Sequence, residues 1–253
     1  MLKTEQLAHY LKQYKQLQLH RAPRLKALTW RVAEWQRQRM QNVHGNLFQN
    51  VAYQKLANFF QTELYNFDAL DVLAGQLSLM LKQKVKLDRW LPNEILESLV
   101  EAMQLALLTI KLDQQLAIHL IRQNRELNDE NLIAMSIEID QKANRLRQLK
   151  LFQSVSLQLS RHAQSLLLRT SLKLAKSKLK ERGFAPMYQY LDHGFRVMRS
   201  NRQAKDFFIH YAQQEQCFLD YLVNVKPTDL NVYYDAASQQ ICRKHIESSA
   251  QPL

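Results

Sequence analysis

Glycine and proline, the residues that most often interrupt helices, are scarce along this chain. Its 253 residues include four glycines and five prolines, whereas average usage would make the two together roughly 12% of a protein. Apolar residues recur at helical spacing over most of the same length. Together these features predict an all-α fold, an irregular multi-helix bundle of about eight or nine helices.

The few breakers and polar caps indicate where the helices begin and end. Pro23 and Pro92 suit first turns, where the missing N–H is not needed, and Gly45 and Gly183 suit positions just after a helix ends. Asp129 precedes an apolar run as an N-cap would. The predicted helices cover 4–21, 23–43, 49–65, 68–86, 92–127, 129–161, 164–182, 186–200 and 203–224.

No internal repeat, low-complexity tract or Gly/Ser-rich linker divides the chain. We therefore expect a single helical domain over residues 1–227. Beyond Pro227, short β-prone pieces alternate with small polar residues. This composition favours a C-terminal tail or short hairpin over residues 228–253 rather than another core helix.

Cysteine usage and hydropathy indicate the cellular compartment in which the protein resides. The two cysteines, Cys217 and Cys242, stand 25 positions apart without a CxxC pair or a Cys/His cluster, which favours neither a zinc site nor a disulfide framework. The N-terminus lacks the apolar core of a signal peptide, and no uncharged apolar run approaches roughly 18 residues. We expect a cytoplasmic protein without a transmembrane segment.

Motifs that carry catalysis are missing. The chain contains no GxGxxG, GxxxxGK[ST], GxSxG or HExxH, and no Glu-x-x-His pair of the kind that holds metals in helical bundles. The sequence therefore predicts no catalytic residues, no metal ligands and no cofactor, and it favours a non-enzymatic role.

Two aromatic-rich segments carry a family resemblance. The first is Phe59-Phe60-Gln61-Thr62-Glu63-Leu64-Tyr65, and the second is Tyr190-Leu191-Asp192-His193-Gly194-Phe195, followed by Phe207-Phe208 and Gln214-Glu215. With these segments the chain resembles the bacterial family called FFLEELY motif proteins, over roughly residues 45–224. The resemblance implies a helical bacterial protein and brings no assigned activity.

The FFQTELY segment allows two interpretations. Leu56, Phe60 and Leu64 are four apart on one helix face, which is typical of core packing, with the Glu63 carboxylate at the rim bonded to an arginine or a tyrosine. The alternative is a pocket for a metal, haem or small molecule near FFQTELY and LDHGF. That pocket would involve Phe59, Phe60, Glu63, Tyr65 and His193.

Positive charge is concentrated in one part of the chain. Residues 141–205 hold 15 Lys and Arg against two acids, a net charge of +13, while the whole chain carries +12. In the predicted helix 164–182, Leu168, Leu172, Ala175 and Leu179 form an apolar stripe. A parallel cationic stripe consists of Arg169, Lys173, Lys176 and Lys180, and Arg145, Arg196, Arg199 and Arg202 from flanking helices extend it.

Several interpretations of this basic face remain open. It is either a solvated surface, an internal partner of the acidic segment 41–140, or a binding surface for an anionic partner such as nucleic acid, a ribonucleoprotein or an acidic protein. Phe152 is the only aromatic residue within 141–182, so phosphate contacts are favoured over base stacking. Peripheral contact with an anionic membrane is a further alternative. The favoured hypothesis is a non-enzymatic interaction protein that docks an anionic partner.

Overall fold

The computed structural model describes residues 2–83 and 92–222 of the chain. That part contains eleven α-helices and no β-strand, which confirms the all-α multi-helix bundle with a slightly higher helix count than predicted. The helices are α1 (Lys3–Lys15), α2 (Pro23–Val43), α3 (Gly45–Gln49), α4 (Gln54–Phe59), α5 (Phe67–Lys82), α6 (Asn93–Gln123), α7 (Asp129–Glu138), α8 (Lys142–Gln164), α9 (Leu166–Glu181), α10 (Ala185–Ser200) and α11 (Ala204–Leu222).

The higher count has two causes, because one predicted helix is divided in two and α3 was not predicted as a separate helix. The predicted helix 129–161 is divided into α7 and α8 at Asp140, which has a left-handed backbone with φ 46°. Aspartate tolerates this conformation better than most residues. The predicted helix 49–65 is likewise broken: it contains α4 and then one π-helical turn over Phe60–Leu64.

One of the predicted helix ends needs correction. The N-cap of α7 is Asn128 rather than Asp129, since the Asn128 side chain accepts the N–H of Asn131 at 2.9 Å. Gly45 follows the end of α2, whose C-cap is His44, as predicted, and it also begins α3. Gly183 follows α9 with φ +82°, as predicted for a residue that ends a helix in the left-handed region.

The long helix α6 is the centre of the arrangement, and it packs on α1, α2 and α8. Helix α8 in turn packs on α10 and α11, and α9 lies against α10. The buried apolar residues form two main groups. One involves α1, α2, α5, α6, α7 and α9, and the other involves α3, α4, α8 and α11. Helices α2 and α10 contribute to both groups, α2 through Met40 in the second.

Two further predictions concern the ends of the chain and membranes. The predicted tail or hairpin at 228–253 lies outside the described residues. None of the described helices combines the length and the apolar character needed to cross a membrane.

Candidate functional site

A partly open cavity of about 420 Å³ lies among α2, α5, α6, α7, α8, α10 and α11. Ligand pockets in proteins typically have volumes of roughly 300–1,000 Å³. Most of the lining side chains are apolar, among them Trp35, Leu70, Leu99, Met103, Leu149 and Phe195. The cavity is therefore large enough for a small molecule and offers it a mainly apolar surface.

A buried ion pair lies in the cavity wall between α2 and α11. The Arg39 guanidinium donates to both carboxylate oxygens of Glu215, with N–O distances of 2.6 and 3.2 Å. Arg39 Nε also donates to Gln36 Oε1 at 2.9 Å, and His44 Nε2 lies 2.9 Å from Glu215 Oε2. Burial by itself raises the pKa of Glu215, but Arg39 and His44 bring that pKa well below its usual range.

A second buried ion pair joins α6 to α8. Arg145 Nη2 donates to Asp113 Oδ1 at 2.7 Å, and the Tyr65 hydroxyl donates to Asp113 Oδ2 at 2.9 Å. Burial raises the pKa of Asp113, and Arg145 and Tyr65 offset only part of this effect. Both Tyr65 and Arg145 line the cavity.

This geometry corrects the prediction for Arg145. Its side chain is 12% exposed, so it does not belong to an exposed cationic face. Asp113 is fully buried, and a buried carboxylate needs a nearby countercharge. Arg145 supplies that countercharge inside the bundle.

Tyr211 of α11 lies near both ion pairs. Burial and, to a smaller extent, the Glu215 carboxylate raise the pKa of Tyr211, while Arg39 and Arg145 lower it, and the net effect is a pKa well above the ordinary value. The hydroxyl therefore keeps its proton, and it donates to Met40 Sδ at 2.8 Å. Because a thioether sulfur is a weak acceptor, a ligand oxygen would be a better partner for this hydroxyl.

The two aromatic-rich segments of the sequence meet at the edge of the cavity. Phe59 packs edge-on against His193, with ring centroids 5.4 Å apart, and Glu63 Oε1 lies 3.1 Å from His193 Nδ1. The Tyr190 hydroxyl donates to the backbone oxygen of Glu63 at 3.4 Å. Glu63 is thus a rim carboxylate, as expected, but its side-chain partner is a histidine rather than an arginine or a tyrosine.

Phe60 combines packing with a place in the cavity wall. Its ring is buried and lies 4.9 Å from that of Tyr211 between centroids. It also begins the π-helical turn, which is closed by the Tyr65 N–H donating to the Phe60 oxygen at 3.3 Å. Such turns often occur at functional sites. Here the turn precedes Tyr65, the residue that contacts Asp113.

A separate surface cleft of about 230 Å³ lies between α9 and α10, and His162 and Ala163 of α8 also line it. Four of the predicted cationic residues line it: Arg169 and Lys173 from α9, and Arg196 and Arg199 from α10. Asp192 also lines the cleft, with Oδ2 3.4 Å from Arg196 Nε. We call this feature the cationic cleft. Its cations outnumber its carboxylates, so it suits an anionic group.

The remaining predicted cations lie outside the cationic cleft. Lys176 and Lys180 are exposed further along α9, with Lys176 Nζ 5.9 Å from the centre of the Tyr188 ring. Arg202 is exposed between α10 and α11. The structure therefore brings together four of the eight predicted cations, leaves three on the surface nearby and places Arg145 inside.

No sequence motif marks Arg39, His44 or Tyr211 as a site residue. One signal was available for Arg39, because it lies with Val32, Gln36 and Val43 at helical spacing on the buried stripe of α2. A polar residue on an apolar stripe requires a buried partner. Which residue supplies that partner is not visible in the sequence.

The cavity chemistry does not include a metal site among the described residues. Over 2–83 and 92–222, no group of three or more His, Cys, Asp or Glu side chains could hold a metal ion. The described residues therefore provide no ligands for a metal ion in the pocket that was predicted as the alternative.

In comparisons with known proteins, most of the chain matches one family. A search of curated proteins and a search of solved structures found no match. Residues 16–229 match the family described as Domain of unknown function (DUF8198). The matched range includes every residue that lines the cavity, from Trp35 to Leu222. Because it covers most of the chain, the protein belongs to the DUF8198 family.

Proposed function

We propose that this protein binds a small, mainly apolar molecule in the 420 Å³ cavity. The observation that supports the proposal is a 420 Å³ cavity with mostly apolar walls and one cluster of convergent polar groups. This combination is typical of small-molecule sites. The proposal corresponds to the pocket alternative of the sequence analysis, in its small-molecule form.

The polar cluster indicates which end group the ligand carries. Its two guanidinium groups, Arg39 and Arg145, are matched by two carboxylates, Glu215 and Asp113. An additional buried charge on the ligand would have no countercharge and would be costly to desolvate. We therefore expect an uncharged hydrogen-bond acceptor, such as a carbonyl or ether oxygen, with Tyr211 as its donor.

Binding fits this cluster better than catalysis does. An effective general base has a pKa near the working pH, whereas Arg39 and His44 hold the pKa of Glu215 well below its usual range. Both oxygens of Asp113 also accept hydrogen bonds, from Arg145 and Tyr65. The carboxylates thus serve to position Arg39, Arg145 and Tyr65 around the cavity.

A dye-binding experiment with a cavity-filling variant tests the proposal. Ala106 lines the cavity from α6, so Ala106→Phe fills it without removing a polar group. We expect the neutral dye Nile red to bind the wild type and to lose at least about tenfold in affinity in the variant, since the added ring occupies ligand space. Ala8→Phe, on the exposed face of α1, is the matched control.

Two results would contradict the proposal. Equal Nile red binding by Ala106→Phe and the wild type would place the dye elsewhere. Preferential binding of the anionic dye anilinonaphthalene sulfonate, lost in Ala106→Phe, would contradict the neutral end group. Mass spectrometry of an organic extract of the purified protein identifies a ligand that remains bound.

A second candidate function is the docking of an anionic partner through the basic face. The observation that favours it is the cationic cleft, where Arg169, Lys173, Arg196 and Arg199 line one surface depression. Convergence of cations on one site raises the local affinity for anions. Membership of the FFLEELY motif family, bacterial origin and a cytoplasmic location remain predictions from the sequence.

A further inference from the structure

Helix α9 exposes large apolar side chains next to its cations. Leu166, Leu167 and Leu174 are 71%, 74% and 72% exposed. Single exposed leucines are common, but several on one short helix indicate an interaction surface. The core-facing side of the same helix is already occupied, because Leu168, Leu172, Ala175 and Leu179 are buried. The three exposed leucines therefore belong to a second apolar surface.

The exposed leucines have a defined relation to the cationic cleft. Leu167 and Leu174 are seven residues apart, so they lie on the same side of the helix two turns apart. Arg169 and Lys173, which line the cleft, lie roughly 100–160° around the helix from this leucine pair, but Leu166 lies on their side, three residues before Arg169 and seven before Lys173. The exposed Lys178 follows Leu174 by one turn. Apolar and cationic side chains therefore adjoin each other on the outer surface of α9.

The adjacency of leucines and cations decides among the anionic partners. Contacts with nucleic-acid phosphates need cations but gain nothing from adjacent leucines. Base stacking within 141–182 would need Phe152, whose ring packs instead against Phe60, Phe208 and Tyr211. A bilayer with anionic lipids matches both features, because it offers phosphates at the depth of the cations and acyl chains below them.

We propose that α9 docks the protein on an anionic lipid bilayer, with Leu166, Leu167 and Leu174 entering the boundary between headgroups and acyl chains. The cationic cleft receives a lipid phosphate at Arg169, Lys173 and Arg199. This inference rests on the second candidate function and names the partner of the same surface. It is independent of the 420 Å³ cavity.

Vesicle flotation with the full chain tests the leucines. The wild type binds vesicles of phosphatidylcholine with phosphatidylglycerol and does not bind vesicles of phosphatidylcholine alone. Leu167→Ser combined with Leu174→Ser removes apolar contact without changing charge, and we expect binding to fall by about tenfold or more. Val51→Ser, which alters an exposed apolar residue away from α9, is the matched control and binds like the wild type.

A second pair of variants tests the cations. Arg169→Gln combined with Lys173→Gln should weaken vesicle binding about thirtyfold, because each cation near the membrane surface increases the affinity roughly fivefold. Arg24→Gln combined with Lys55→Gln removes the same charge from exposed positions on α2 and α4 and should have little effect. Circular dichroism confirms that each variant is folded.

The results separate this inference from the function on which it rests. Binding to mixed-sequence RNA or DNA without binding to anionic vesicles would overturn the membrane inference and leave the second candidate function standing. No binding to vesicles, nucleic acid or acidic proteins at low salt would overturn both. Vesicle binding that depends on the cations but is unchanged by the leucine substitutions would also overturn the inference, because the contact would then be purely electrostatic.

Discussion

Gly194 of α10 lies directly against the ring of Phe59, and a Cβ atom built at position 194 would be 3.1 Å from Phe59 Cζ. The absence of a side chain at Gly194 thus allows the two aromatic-rich segments to approach each other. Phe59 is buried, and its ring also contacts His193. The ring therefore has little room to move away from a larger residue.

The first prediction concerns this contact. Gly194→Ala should lower the free energy of unfolding by about 1 kcal/mol, because overpacking against Phe59 outweighs the gain in helix propensity. Gly75→Ala in α5 is the control, since nothing lies within 4 Å of the added Cβ, and it should stabilise by about 0.5–1 kcal/mol. Urea denaturation measures both. Stabilisation by Gly194→Ala equal to that of the control would show that the contact is not restrictive.

The second prediction concerns Phe60. Phe60→Ala should lower the free energy of unfolding by about 3–5 kcal/mol, because it removes a buried ring that packs on Phe48, Phe152, Phe207 and Tyr211. Thermal and urea unfolding provide the measurement. A variant with wild-type stability that loses Nile red binding would instead assign Phe60 to ligand contact alone.

The third prediction concerns the pH dependence of stability. The folded-state pKa of Glu215 is lowered, so its ionised form stabilises the fold above the unfolded-state pKa, and this contribution is lost as pH falls through the folded-state pKa. Glu215→Gln should therefore be clearly less stable than the wild type at neutral pH. The difference should narrow as pH falls below about 4.5, where the unfolded chain takes up the proton.

Denaturation at several pH values checks this dependence. Glu126→Gln removes an exposed carboxylate and controls for the loss of one negative charge. A constant difference between Glu215→Gln and the wild type at all pH values would mean that the ion pair with Arg39 does not contribute through ionisation.

The fourth prediction compares one arginine inside the bundle with one outside. Arg145→Met should destabilise by about 3–5 kcal/mol, because it leaves the fully buried Asp113 without its countercharge. Arg169→Met, on the exposed face of α9, should change stability by less than about 1 kcal/mol. Equal effects of the two substitutions on unfolding would contradict the division of the predicted basic face into an internal and an external part.

The helices could be predicted because the information for them is local. Few breakers and an apolar residue every three or four positions suffice to predict most of α2, α6, α9 and α10. The interruptions depend on distant contacts. Gln141, which follows the break at Asp140, donates from its side chain to the Leu112 oxygen at 2.8 Å, and no local pattern indicates that partner.

The cationic cleft was partly predictable for the same reason, whereas the cavity was not. Spacing within one helix places Arg169 and Lys173 on the same side, but it cannot show that α10 brings Arg196 and Arg199 beside them. Arg145 is also an arginine of the basic segment, but its side chain is directed into the bundle rather than toward the cleft. Arg39 and Glu215 are 176 residues apart, and each has many candidate partners of opposite charge in the sequence.

The sequence by itself therefore determined the helical class, the segregation of charge and the amphipathic character of α9, because each depends on neighbours within a few turns. The tertiary structure alone decided that Arg39, Glu215, Asp113 and Arg145 form two buried ion pairs at one cavity. The physical reason is that an ion pair inside a protein requires two specific atoms within hydrogen-bonding distance, and only the packing of α2, α6, α8 and α11 brings those atoms together.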